Sequence, residues 1–166
     1  MSGMGWTREL ELARYECRCL QVPPEGTFYN ARLACKALQD IVLQPGQTLS
    51  FNRQMNKVRS YFKPGLTVSG KSTILSRGGG ICQVATGLFH AAILGKLQIR
   101  ERHEHSNFVK AIDYCREGED AAVSMPHKDL KIRNHWPFAV RIQARSDGDT
   151  GVILTLYEIK GVKSPL

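Results

Sequence analysis

Three consecutive glycines, Gly78-Gly79-Gly80, lead directly into ICQVATGLFHAAILG, and no other feature constrains this chain as much. Glycine accepts positive φ and close backbone approach, so the triplet marks a tight turn in which side chains would clash. The run behind it carries Val84, Leu88 and Ala91/Ala92 on one face. That spacing predicts a buried helix over residues 82–94, with Gly95 ending it in a left-handed conformation.

The rest of the chain is arranged around that helix. Asn30–Ile41 places Leu33, Ala34, Ala37 and Leu38 at helical spacing behind Asn30, a suitable N-cap, and so predicts a second helix. Glu9–Val22 fits strand or helix and stops at Pro23-Pro24, because the residue before proline leaves the helical region. Gln44-Pro45-Gly46-Gln47 reads as a turn into a short strand over Thr48–Phe51. Asn52–Arg77 is polar and rich in Gly and Lys, which predicts a long, mostly irregular connection. Beyond the helix, apolar-polar alternation predicts strands at Leu97–Arg100, Ala121–Ser124, Leu130–Arg133, Ala139–Arg145 and Val152–Ile159. The last two flank Ser146-Asp147-Gly148-Asp149-Thr150-Gly151, a hairpin signal. The fold class is therefore α+β: N-terminal helices and a central glycine-capped helix packed on a mostly antiparallel sheet in a single domain. The chain divides into an N-terminal extension over 1–29, the domain proper over 30–160 and a tail over 161–166.

Charge and cysteine usage narrow the chemistry. Lys plus Arg exceeds Asp plus Glu by 23 to 15, a formal charge of +8 that fits an anionic partner (nucleic acid, lipid headgroups, acidic wall polymers or an anionic small molecule) or a basic protein with no polyanion partner. No recognition helix or aromatic sheet signature accompanies it, so nucleic acid is not the expected partner. Five cysteines make a poor disulfide framework, and without a C-x-x-C pair no metal or other cofactor is expected. The N-terminus meets charged residues before any signal-peptide core, and no run reaches the length of a membrane span. As written, the chain reads as cytoplasmic. Gly65-Leu66-Thr67-Val68-Ser69-Gly70-Lys71-Ser72 matches a phosphate-binding loop letter for letter, yet lacks the apolar strand before it and the helix after it. It reads as a turn.

Cys82 combines two physical advantages, a glycine turn and the N-terminus of a helix. Free N–H groups there stabilise an anion, either a thiolate or an oxyanion, and predict a depressed cysteine pKa. Downstream, Arg100-Glu101-Arg102-His103-Glu104-His105-Ser106 carries two histidines that would share one face of a strand. Asp113, Asp120 and Asp129 are candidate orienting acids. Cysteine, then histidine, then acid is the chain order of several thiol acyl-transfer folds, in which they serve as nucleophile, general base and orienter. The assignment is Cys82 as nucleophile, His105 as base, Asp120 or Asp129 as orienter, and Gln83 or backbone N–H groups as oxyanion donors. The competing reading makes Cys82 a small buried apolar residue. A second competitor is a non-catalytic binding module, in which the glycine turn with Lys71, Arg77 and Arg102 holds an anion. His103 and Ser106 complete the candidate binding residues.

Taken together these motifs resemble the VanW family, accessory proteins named from vancomycin-resistance clusters. The resemblance runs from Asn30 onward through Leu43-Gln44-Pro45-Gly46, Ser50-Phe51-Asn52, Gly78-Gly79-Gly80-Ile81-Cys82-Gln83-Val84, Glu101-Arg102-His103-x-His105-Ser106, Gly118-x-Asp120-Ala121-Ala122-Val123 and Asp129-Leu130-Lys131-Ile132-Arg133-Asn134. It implies a peripheral association with the cell envelope and, in some clusters, glycopeptide resistance. Joined to the reading of Cys82 and its histidines, it leads to the expectation of a thiol-dependent acyl-transfer or amide-hydrolysing role on an envelope precursor or related peptide. Asp113-Tyr114-Cys115-Arg116-Glu117 departs from the aromatic and proline residues typical of that family, which leaves Cys115 peculiar to this chain.

Overall fold

The structure, a computed structural model, describes residues 8–160. It is a single α+β domain with three helices and three antiparallel sheets. Strand β1, Arg8–Arg18, resolves the ambiguity of the N-terminal segment in favour of a strand, and Pro24 then caps helix α1, Glu25–Leu38. This helix begins five residues before the expected start. Asn30 is therefore not its cap but a fully buried interior residue, whose amide reaches the carbonyls of Lys63 and Gly79 and the N–H of Lys63.

The largest sheet has the order β1-β9-β8-β2, with β2 at Val42–Leu43, β8 at Ala139–Asp147 and β9 at Gly151–Lys160. Strands β8 and β9 form the expected hairpin, and β1 pairs along β9 from Arg8↔Lys160 to Arg18↔Gly151. A second sheet joins β3 (Thr48–Ser50), β7 (Lys131–Arg133) and β6 (Gln98–Glu101) in that order. Helix α3, Ile81–Leu94, crosses β1 and β9 and buries residues on nearly all of its faces. Gly87 is what lets it settle: a Cβ there would lie 2.8 Å from Leu154 and 3.4 Å from the Cβ of Cys17. Gly95 ends the helix with φ −79°, not in a left-handed conformation; Lys96 takes the positive φ instead.

Two expectations need correction. Residues 52–77 are not an irregular connection. They contain helix α2 (Phe51–Asn56), a 3-10 turn (Arg59–Tyr61) and a hairpin of β4 (Pro64–Ser69) with β5 (Ser72–Arg77). Ser and Thr on a half-exposed hairpin disguise its alternation, and Gly70 at φ +59° allows the two-residue turn. The phosphate-loop lookalike lies along this hairpin. Residues 121–124, in turn, are not a strand and form a single bridge, Ser124↔Lys128. Their apolar side chains are buried, but their N–H groups go elsewhere: Ala121 to Thr86 Oγ1, Ala122 to the carbonyl of His103 and Val123 to Cys82 Sγ. No helix among the described residues is long and apolar enough to cross a membrane.

Candidate functional site

The glycine triplet threads between β4 and α1. A Cβ on Gly79 would stand 2.1 Å from the carbonyl oxygen of Gly65, and one on Gly80, at φ +107°, 2.3 Å from that of Thr27. No side chain would fit at either position. Asn30 fixes the turn from behind through the Gly79 carbonyl at 2.9 Å. Helix α3 starts immediately afterwards without a side-chain cap, so its first N–H groups stay uncapped where Gly80, Ile81 and Cys82 line a cavity of about 660 Å³.

Cys82 is half-buried in this first turn. Its Sγ receives the Val123 N–H at 3.5 Å and lies 3.6 Å from the Val123 carbonyl. Burial pushes the thiol above its ordinary pKa, the Val123 bond opposes this, and the negative charge of Asp120 adds to it. The depressed pKa expected from the helix N-terminus is therefore not found. Removing a thiolate from water outweighs the helix's partial positive charge.

His105 lines the same cavity. Asp120, which is 1% exposed, accepts both the His105 backbone N–H at 2.7 Å and its Nδ1 at 2.6 Å through one oxygen. This fixes the ring and leaves Nε2 without a partner among the described residues. No hydrogen bond joins His105 to Cys82; the cavity is what brings them together.

His103 and His105 do not share a strand face, because β6 ends at Glu101 and both follow it in irregular chain. His103 Nε2 pairs with Glu101 at 3.0 Å. Lys131, then His103, hold the Glu101 carboxyl down at about 2. Arg102 donates to the carbonyls of Asp120 and Gly118 and stacks 4.7 Å above Phe89, so its fork is committed to positioning Asp120. Asp129 is bonded to Ser50 Oγ and to the N–H groups of Asn52 and Leu130, where it caps α2 instead of orienting a histidine. Asp113 accepts the N–H of Gln21. The amide nitrogen of Gln83 donates to the carbonyls of Cys17 and Thr150, which uses both its protons and leaves the backbone as the oxyanion donor. Ser106 accepts a bond from Lys128 at 3.3 Å. His90 stacks on Tyr15 at 4.5 Å.

Several lining groups had no signal in the sequence. Val123 acts through its backbone, which any residue could supply. Arg59, Lys110 and Lys128 are scattered through loops that meet only in the fold, and with Arg77 they surround the cavity with four basic side chains against one carboxylate, Asp113. No cluster of three His, Cys, Asp or Glu among the described residues could hold a metal ion.

The chain is thus a single α+β domain in which Cys82, at a glycine-capped helix start, and His105 line one cavity. The model of the VanW family, described as "VanW like protein", matches residues 26–157, and the chain belongs to that family. It is similar to the uncharacterized protein YoaR of Bacillus subtilis, with 33% identity over 143 residues, covering 83% of this chain and 45% of YoaR. It is also similar to the Vancomycin B-type resistance protein VanW of Enterococcus faecalis, with 36% identity over 130 residues, covering 75% of this chain and 47% of that protein. The chain thus spans less than half the length of these curated relatives. No solved structure matches it.

Proposed function

We propose that this domain carries out thiol-dependent acyl transfer or amide hydrolysis on a cell-envelope precursor or related peptide. One observation carries the reading: Cys82 and His105, whose ring is bonded to the buried Asp120, line one cavity at an uncapped helix start. Because burial keeps Cys82 a neutral thiol, the chemistry is that of a base-assisted nucleophile, not of a standing thiolate. Sγ leaves Val123 and passes its proton to His105 Nε2 as it attacks the substrate carbonyl. A C–S bond forms, and the developing oxyanion is met by the first N–H groups of α3. The carbonyl then re-forms as the leaving amine takes the proton from His105. Water or an acceptor amine cleaves the thioester by the same steps in reverse, and Asp120 holds the ring throughout. The name of the Enterococcus relative supports the choice of an envelope substrate.

The test is intact-mass detection of a covalent acyl adduct after incubation with amide and ester acyl donors, including peptidoglycan stem peptides. The wild type should acylate at Cys82, Cys82→Ala should not, and His105→Ala should acylate at least about a hundredfold more slowly. Equal acylation of Cys82→Ala, or no adduct on any donor, would overturn the reading. The four basic side chains around the cavity support a second reading, a module that binds an anionic ligand without turnover. Binding that weakens steeply with salt and is indifferent to Cys82→Ala would favour it.

A further inference from the structure

One wall of the cavity is the open edge of a strand. Among the described residues strand β4 pairs only with β5, in register Thr67↔Ile74 and Ser69↔Ser72 across the two-residue turn. In such a hairpin alternate residues direct both N–H and C=O to the same side. Leu66 shows which side: its N–H leaves the hairpin and is accepted by Thr27 Oγ1 at 2.9 Å. Val68, two residues on, therefore also presents its N–H and carbonyl outward, and the contacts from α1 and the glycine turn that cover the start of β4 reach Gly65 and Leu66. Val68 and Thr67 line the cavity together with Cys82. An uncovered strand edge is a template for another strand.

We infer that the cavity takes its substrate as an extended acidic peptide, which adds as a strand to β4 at Val68 and runs along the wall toward Cys82. The backbone of Val68 supplies sequence-independent pairing, and Arg59, Arg77, Lys110 and Lys128 around the same cavity supply the charge that selects an acidic chain. The inference deepens the acyl-transfer reading by naming its substrate class, and it rests on that reading for the direction of the chain.

The experiment uses Cys82→Ala protein labelled with ¹⁵N, so that binding is read without turnover. The probe is an acetylated hexapeptide amide alternating glutamate and valine. The Val68 amide resonance should shift and its hydrogen exchange slow, and N-methylation at alternate peptide positions should weaken binding at least about tenfold while methylation at the intervening positions does not. Val68→Pro, which removes the outward N–H, should give the same loss while the cross-strand contacts of β4 and β5 persist. Inorganic tripolyphosphate should not shift Val68. Peptide binding that ignores N-methylation and Val68→Pro, or tripolyphosphate binding that reproduces the peptide's shifts, would overturn the inference. Because the acyl adduct is measured on the wild type, a failure of strand pairing and a failure of Cys82 as nucleophile give separate results.

Discussion

Cys17 on β1 and Cys82 at the start of α3 are tied through Gln83, which follows Cys82 in the chain and donates to the Cys17 carbonyl. Both residues belong to the β1–α3 packing layer, yet their surroundings differ. Cys17 is 1% exposed, and its sulfur meets only the carbonyl of Tyr114, at 3.8 Å. Cys82 is half-buried and lines a cavity, receives an N–H on its sulfur, and shares that cavity with His105, which is bonded to the buried Asp120. Burial raises both thiols above their ordinary pKa. A glycine turn and a helix N-terminus therefore do not make a reactive thiolate by themselves. A place on the cavity wall, with a histidine on the same wall, is what sets Cys82 apart.

The strongest way to break the comparison is Gly80→Ala, which drives a Cβ to 2.3 Å from a backbone oxygen at a positive φ. It should cost about 3 kcal/mol or more in urea unfolding, because neither the turn nor α1 can give way cheaply. Asp120→Asn should lower any acyl-transfer rate on the order of a thousandfold, read from the adduct-formation kinetics, because His105 loses its charged partner, even though the same change removes one cause of the raised Cys82 pKa. Gln83→Leu severs the link between the thiols and removes two hydrogen bonds from a buried amide, which should cost about 2 kcal/mol in thermal or urea unfolding. A smaller effect separates the core thiols by pH. Burial pushes Cys35 up to about 12 and Cys17 further still. Protonated thiols in the fold thus support stability that is complete below about pH 9 and falls as the pH rises toward the folded pKa values. Unfolding titrations should show this alkaline loss, and Cys17→Ala with Cys35→Ala should reduce its slope. The slightest effect is that of Glu101→Gln. Glu101 is held at about 2, so the stability it adds is present above the ordinary carboxylate range and fades as pH falls from about 4.5 toward 2. The variant should flatten that acid limb slightly.

How far the sequence could be read depended on whether side chains or backbone did the work. Helix α3 was legible because glycines and apolar spacing determine it locally, and the β8–β9 hairpin because its turn residues are explicit. The grouping of Cys82 with His105 and Asp120 could be proposed because thiol, imidazole and carboxylate are side-chain types that show in the sequence. Gln83 and Asp129 were chosen for the same chemical types, yet their groups satisfy carbonyls and N–H groups that only the fold brings near. Asn30 looked like a cap because its neighbours gave no sign that α1 begins at Glu25. The β4–β5 hairpin was hidden for a third reason: its strands have too little apolar contrast to show a period.

Alkylation by iodoacetamide, resolved for each cysteine by peptide mass spectrometry between pH 6 and 10, tests the central claim most directly. In the folded protein Cys82 should react at least about a hundredfold faster than Cys17 or Cys35. Its rate should be slow near neutrality and rise above pH 9, as an accessible thiol with a raised pKa requires. Cys82 reacting only together with Cys17, on unfolding, would make it a packing residue and contradict the account.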